Sequence, residues 1–150
     1  MQNAGLVRLV VPSLALALSA CASLKAPTLQ VESLRLGKLG ITGAGMDVGF
    51  RLQNPNADTL LIERMEYELK LNGQHLGRGY VSEPLDLPGF KNERFDSRFA
   101  LNFLRLPAAV MRVLDQDRAR VEVKGTFYVR EGGGLKKLGF KSDANVDVRR

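Results

Sequence analysis

From Thr28 onward hydrophobic residues fall at every second position, and that period permits little except β-structure. Met46, Val48, Phe50 and Leu52 alternate with Asp47, Gly49, Arg51 and Gln53, the pattern of a strand with one buried and one wet face. The same alternation recurs in Met65, Tyr67, Leu69 and Leu71, in Phe95, Phe99, Leu101 and Phe103, in Val121, Val123, Phe127 and Val129, and in Phe140, Ala144, Val146 and Val148. Leu29, Val31, Leu34 and Leu36 form a first strand with a break in phase, and Gly79 to Leu85 a short one. About seven strands are expected.

The punctuation agrees. Asn72-Gly73 between two apolar runs signals a hairpin, because the tight turn needs positive φ at both central residues. Gly132-Gly133-Gly134 joins the last two strands as a second hairpin, and Pro84 and Pro88 mark an edge or a crossover, where a missing backbone donor does least harm. Only Pro107 to Asp115 departs from the period of two: Pro107 suits a first helical position, and Val110, Val113 and Leu114 fall on one side of a short helix. The expected fold is all-β, a seven-stranded antiparallel sandwich of the immunoglobulin or fibronectin III kind, with one short helix between strands 5 and 6. At 150 residues the length fits one domain with a core of its own, and the sandwich is placed at 28–148.

The start of the chain follows a different rule. Arg8 is the only charge before Lys25, and Leu9 to Ala20 is apolar apart from Ser13 and Ser19. That is the charged region and short apolar run of an export signal, too short to span a bilayer as a helix. Leu18-Ser19-Ala20-Cys21 contains the only cysteine and resembles the lipobox of bacterial lipoproteins. The resemblance implies acylation of the Cys21 thiol and cleavage between Ala20 and Cys21, which makes 1–20 a signal and 21–27 a lipidated tether. A plain secretory signal with an incidental cysteine is the alternative. The stretch from Ala22 to Pro27 reaches at most about 20 Å when extended, so the sandwich is expected close to the membrane. With Ala22 rather than Asp after the cysteine, the lipobox rule of enteric-type bacteria implies the periplasmic face of the outer membrane.

Asn54-Pro55-Asn56 ends the second strand and opens a loop. Pro55 drives Asn54 out of the α region, and both asparagines can bond nearby backbone, so strand exit and turn are the physical reading. Phe50-Arg51-Leu52-Gln53-Asn54-Pro55-Asn56, then Tyr67-Glu68-Leu69-Lys70-Leu71-Asn72-Gly73 with Gly77 soon after, then Phe99-Ala100-Leu101 and Val123-Lys124-Gly125, together resemble the late embryogenesis abundant type 2 family, proteins with a WHy (water stress and hypersensitive response) domain. The resemblance runs from about Pro27 to Val148. It implies a β-sandwich with one helix, no enzymatic activity and a role in desiccation or other stress. A basic charge and a lipobox set this chain apart from the plant members.

The inventory for catalysis is thin. His75 is the only histidine and sits just past the Asn72-Gly73 turn, and no metal-binding, nucleophile-elbow or phosphate-loop motif occurs. No enzyme activity, metal or cofactor is expected. The formal net charge is +6, and Arg112, Arg118, Arg120, Lys136, Lys137 and Lys141 crowd the C-terminal third. Export argues against a nucleic-acid partner. For a tethered domain these cations would meet anionic lipid or an envelope polymer, with solubility alone as the bland alternative. A specific envelope protein is the other partner class that an anchored module would serve.

Overall fold

The structure, a computed structural model, describes residues 23–102 and 104–149. Among them eight strands and one helix follow in the order β1 (Thr28–Leu39), β2 (Gly43–Gln53), β3 (Leu60–Leu71), β4 (Gln74–Val81), β5 (Leu85–Leu87), β6 (Asn92–Asn102), α1 (Ala108–Leu114), β7 (Arg118–Glu131) and β8 (Gly134–Arg149). The all-β expectation holds; the seven-stranded antiparallel sandwich does not. One mixed sheet runs β4-β3-β7-β8-β1-β2-β6, with β5 pairing β3 beside this path, and it curls into a half-barrel.

Two features of the chain account for the difference. The stretch expected as one short strand is broken at Ser82 to Pro84, so β4 and β5 are separate pieces that both pair with β3. Pro84 cannot donate to a ladder and interrupts it there. The second feature is β8, whose last turn-free residues reach β1 and pair in parallel, Leu34 with Val148 and Arg35 with Arg149. Alternation reports which face of a strand is buried, and it carries no information about a neighbour's direction. The helix accordingly lies between the sixth and seventh strands, with Val110, Val113 and Leu114 buried as its spacing required.

Both hairpins form as read. Leu71 pairs with Gln74 across Asn72 (φ 45°) and Gly73 (φ 79°), and Glu131 pairs with Gly134 across Gly132 (φ 56°) and Gly133 (φ 86°). Positive φ at both central residues matches the turn to the twist of the strands.

The curl brings the two ends of the strand order together over a shared core. Tyr67 of β3 is buried, donates its hydroxyl to Ser97 Oγ of β6 at 2.7 Å, and packs its ring 5.6 Å from Phe99 and 5.2 Å, edge-on, from Phe50. Gly79 on β4 makes room for this: a Cβ there would lie 2.2 Å from Tyr67 Cζ and 2.5 Å from Phe99 Cε2. Leu34, Met46, Val48, Met65, Leu69, Val121 and Phe127 fill the rest of the concave face, which supplies the apolar burial that drives the fold. The register sets two ends. The Asn72-Gly73 turn and α1 share one, where Asn72 Nδ2 donates to Gln116 Oε1 at 3.3 Å. Lys25, the Asn54–Asn56 turn and the Gly132-Gly133 hairpin share the other.

Candidate functional site

The Asn54-Pro55-Asn56 turn is a clamp between three segments. Asn54 is 1% exposed, and its Nδ2 donates to the carbonyls of Asp58 (2.8 Å), Leu87 (2.9 Å) and Pro88 (3.2 Å). Its Oδ1 accepts from Asn56 N and Asn56 Nδ2, both at 2.9 Å, and its backbone N–H donates to Lys91 O at 3.0 Å. A buried amide this fully satisfied fixes the two loops it joins. Asn56 extends the clamp outward: Lys25 N donates to its Oδ1 and its Nδ2 donates to Lys25 O, each at 2.9 Å. The backbone of Phe90 is also tied to it, donating to Asn56 O at 3.0 Å. Gly89 lets the loops meet, since a Cβ there would fall 1.7 Å from Ala57 O.

Beside this clamp the open seam of the half-barrel leaves a cleft of about 170 Å³. Leu52, Ile62, Met65, Val81, Leu85 and Phe95 line it, with Arg64, Glu83 and Asp96 at its rim. Asp96 is already paired with Arg35 at 2.7 Å. The Arg64 guanidinium stacks 3.8 Å from the centre of the Tyr128 ring, a cation–π contact, while its Nε forms an ion pair with Glu66 Oε1 at 3.4 Å. A space of this size admits one ring or a short aliphatic chain.

The six cations singled out from the sequence do not form one patch. Arg118 pairs with Asp147 at 3.0 Å, Arg120 with Asp143, and Lys136 with Glu131 at 3.2 Å. The hydrogen bond from Arg120 holds the Asp143 carboxyl below the usual carboxylate range. Arg112 lies on α1 at the helix end, and Lys137 and Lys141 lie on β8, with Lys141 directly opposite Lys124. A broader groove of about 480 Å³ crosses the outer face, lined by Glu66, Glu68, Arg78, Tyr80, Lys124 and Thr126 among others. It is charge-mixed, with Arg78 paired to Glu68 at 3.0 Å.

His75 is exposed on β4 opposite Lys70. Among the described residues no group of three or more His, Cys, Asp or Glu is placed to hold a metal ion, and no helix is long and apolar enough to cross a membrane. Ala20 and Cys21 lie outside the described residues. Sequence reasoning found the Asn54-Pro55-Asn56 turn but not its partners, and it missed both the cleft and Phe90. Pro88-Gly89 was the available turn signal for the latter, but the partner of that turn comes from the far side of the loop pair.

A profile of the family described as late embryogenesis abundant protein matches residues 49–144, a span from within β2 to within β8 that contains the cleft and all of the clamp except Lys25. In overall shape the chain is similar to a protein of Arabidopsis thaliana solved in solution, with TM-score 0.64 and 13% identity over 84% of this chain and 83% of that one. It is also similar to a second solution structure, of a protein described as late embryogenesis abundant, with TM-score 0.51 and 12% identity over 87% of this chain and 76% of that one. At such identities the likeness is one of fold. Among curated protein sequences none matches the chain.

Proposed function

Because this chain belongs to the late embryogenesis abundant type 2 family, we propose that it is a non-catalytic protein of desiccation or related stress, of the WHy type, which works as an envelope lipoprotein anchored through Cys21. Family membership supports the stress role, and the Leu18-Ser19-Ala20-Cys21 pattern supports the anchor. The observation that carries the combined reading is the pair of 2.9 Å hydrogen bonds between Lys25 and Asn56. They tie the chain four residues after Cys21 to the Asn56 loop, so that a lipid on Cys21 would keep the domain close to the membrane. Contact between its surface and envelope proteins or lipids, without covalent chemistry, would be the mode of action, on the periplasmic face of the outer membrane.

The apolar cleft favours a second reading, an accessory module that captures one specific envelope protein or lipid. One experiment separates the two. The soluble fragment from Ala22 to Arg150 is dried with unrelated labile enzymes and, in parallel, used as bait on solubilised membranes. General protection without a single dominant partner supports the first reading; no protection together with capture of one protein overturns it.

A further inference from the structure

The anchor reading leaves open which end of the domain meets the lipid, and the clamp answers it. Phe90 is 70% exposed and holds φ at 55°, a left-handed conformation that is uncommon for a bulky residue and persists only where its surroundings enforce it. They do so here. Phe90 N donates to Asn56 O at 3.0 Å, Lys91 N donates to Pro88 O at 3.2 Å, Asn54 N donates to Lys91 O at 3.0 Å, and Gly89 is pressed against Ala57. A strained loop thus holds an aromatic ring out into solvent, where burial gives it nothing. The residue that ties this loop, Asn56, also ties Lys25. Cys21 lies four residues before Lys25, a reach of at most about 14 Å. Leu135, half exposed, stands at the hairpin tip of the same end. Lys25, Lys91 and Lys137 are exposed there against the carboxylates of Asp58 and Asp86, while Lys136 is paired with Glu131.

We propose that this end is a bilayer-docking surface: Phe90 and Leu135 enter the interface of an anionic lipid membrane, with the lysines at headgroup level and Asn56 setting the angle between tether and loop. Exposed apolar side chains flanked by cations are what an interfacial surface requires. The proposal rests on lipidation of Cys21. Tethering makes the contact effective, because a surface this small binds weakly when free.

The chain has no tryptophan, so single tryptophans report position without background. Full-length protein carrying Phe90→Trp, Leu135→Trp or, as the opposite-end control, Ile41→Trp at the exposed β1–β2 turn is produced with labelled palmitate. Each is then reconstituted into phosphatidylglycerol-containing vesicles with or without brominated acyl chains. Phe90→Trp and Leu135→Trp should each lose roughly half their emission to the brominated lipid, as expected for a side chain at the acyl boundary, and Ile41→Trp should lose almost none. Leu135→Trp keeps the test readable if the strained loop rejects the larger ring. Adding Asn56→Ala to Phe90→Trp should reduce the quenching while palmitate uptake is unchanged. Palmitoylated protein in which Ile41→Trp is quenched, or in which no reporter is, overturns the docking surface alone. Protein that takes up no palmitate and leaves the vesicles overturns the anchor and the docking surface with it.

Discussion

Asn54 and Asn72 both end a strand and open a turn, yet they do opposite kinds of work. Asn72 is exposed at the helix end, in the left-handed conformation that the two-residue hairpin demands (φ 45°), and its Oδ1 accepts from Arg120 N at 2.7 Å. Its partners Arg120 and Gln116 lie 48 and 44 residues away, but those contacts are exposed to water, and its neighbour Gly73 announces the turn. Asn54 is buried at the end that holds Lys25, and the groups it satisfies, Leu87 O and Pro88 O, lie 33 and 34 residues away. The difference is that a turn residue can be replaced by another that tolerates the same backbone, whereas a clamp leaves several buried groups without partners when it goes.

The largest expected effect tests that directly. Asn54→Ala should cost about 3 kcal/mol, because it strips partners from buried carbonyls and from the Asn56 N–H at once; Asn72→Ala should cost about 1 kcal/mol, mainly from left-handed strain. Urea midpoints at constant m-value measure both, and equal costs would erase the distinction between clamp and turn. Next in size is Gly79→Ala. With Tyr67 Cζ 2.2 Å and, from across the seam, Phe99 Cε2 2.5 Å from the added carbon, overpacking should cost roughly 2 kcal/mol.

Tyr67 supplies a pH signature of the same kind. Burial pushes its hydroxyl up to about 12, against a smaller opposing effect of the Ser97 hydrogen bond. The raised folded value means that the unfolded chain releases this proton first. Stability should therefore be fully present below the ordinary tyrosine pKa near 10 and fall progressively between about pH 10 and 12, by up to about 3 kcal/mol. Tyr67→Phe should flatten that part of the pH profile; an unchanged slope would show that Tyr67 ionises as freely folded as unfolded. The smallest effect belongs to the outer face. Asp143→Asn breaks an exposed pair with Arg120 and should leave the thermal midpoint essentially unmoved at neutral pH, since such pairs contribute little. The Asp143 carboxyl is held low by Arg120, so whatever it contributes is present above the ordinary carboxylate range and lost as pH falls.

What could be read from the sequence follows the same division. The alternation in β2, β3, β6, β7 and β8, apart from Phe103, which lies outside the described residues, the helix face of Val110, Val113 and Leu114, and both hairpins are properties of short windows, and each appears where it was expected. The parallel joint of Leu34 with Val148 and the curl that brings Phe99 against Gly79 and Tyr67 depend on partners 20 or more residues away, for which a period of two has no mark. The cation cluster shows the limit from the other side. Arg118, Arg120 and Lys136 looked crowded along the chain, but the alternation that placed them outward also placed Asp147, Asp143 and Glu131 within reach. At the candidate site the turn of Asn54-Pro55-Asn56 was legible, while its grip on Lys25 and the Phe90 loop was not, because hydrogen-bond partners across 31 residues leave no local pattern.

The proposed lipidation of Cys21 is the point on which the proposed function and the docking surface both depend. The most direct measurement is the mass of the N-terminal peptide of the protein recovered from bacterial membranes. Lipidation predicts a peptide that begins at Cys21 and carries the added mass of a diacylglyceryl group. A peptide that begins elsewhere, or a Cys21 with an unmodified thiol, would contradict it.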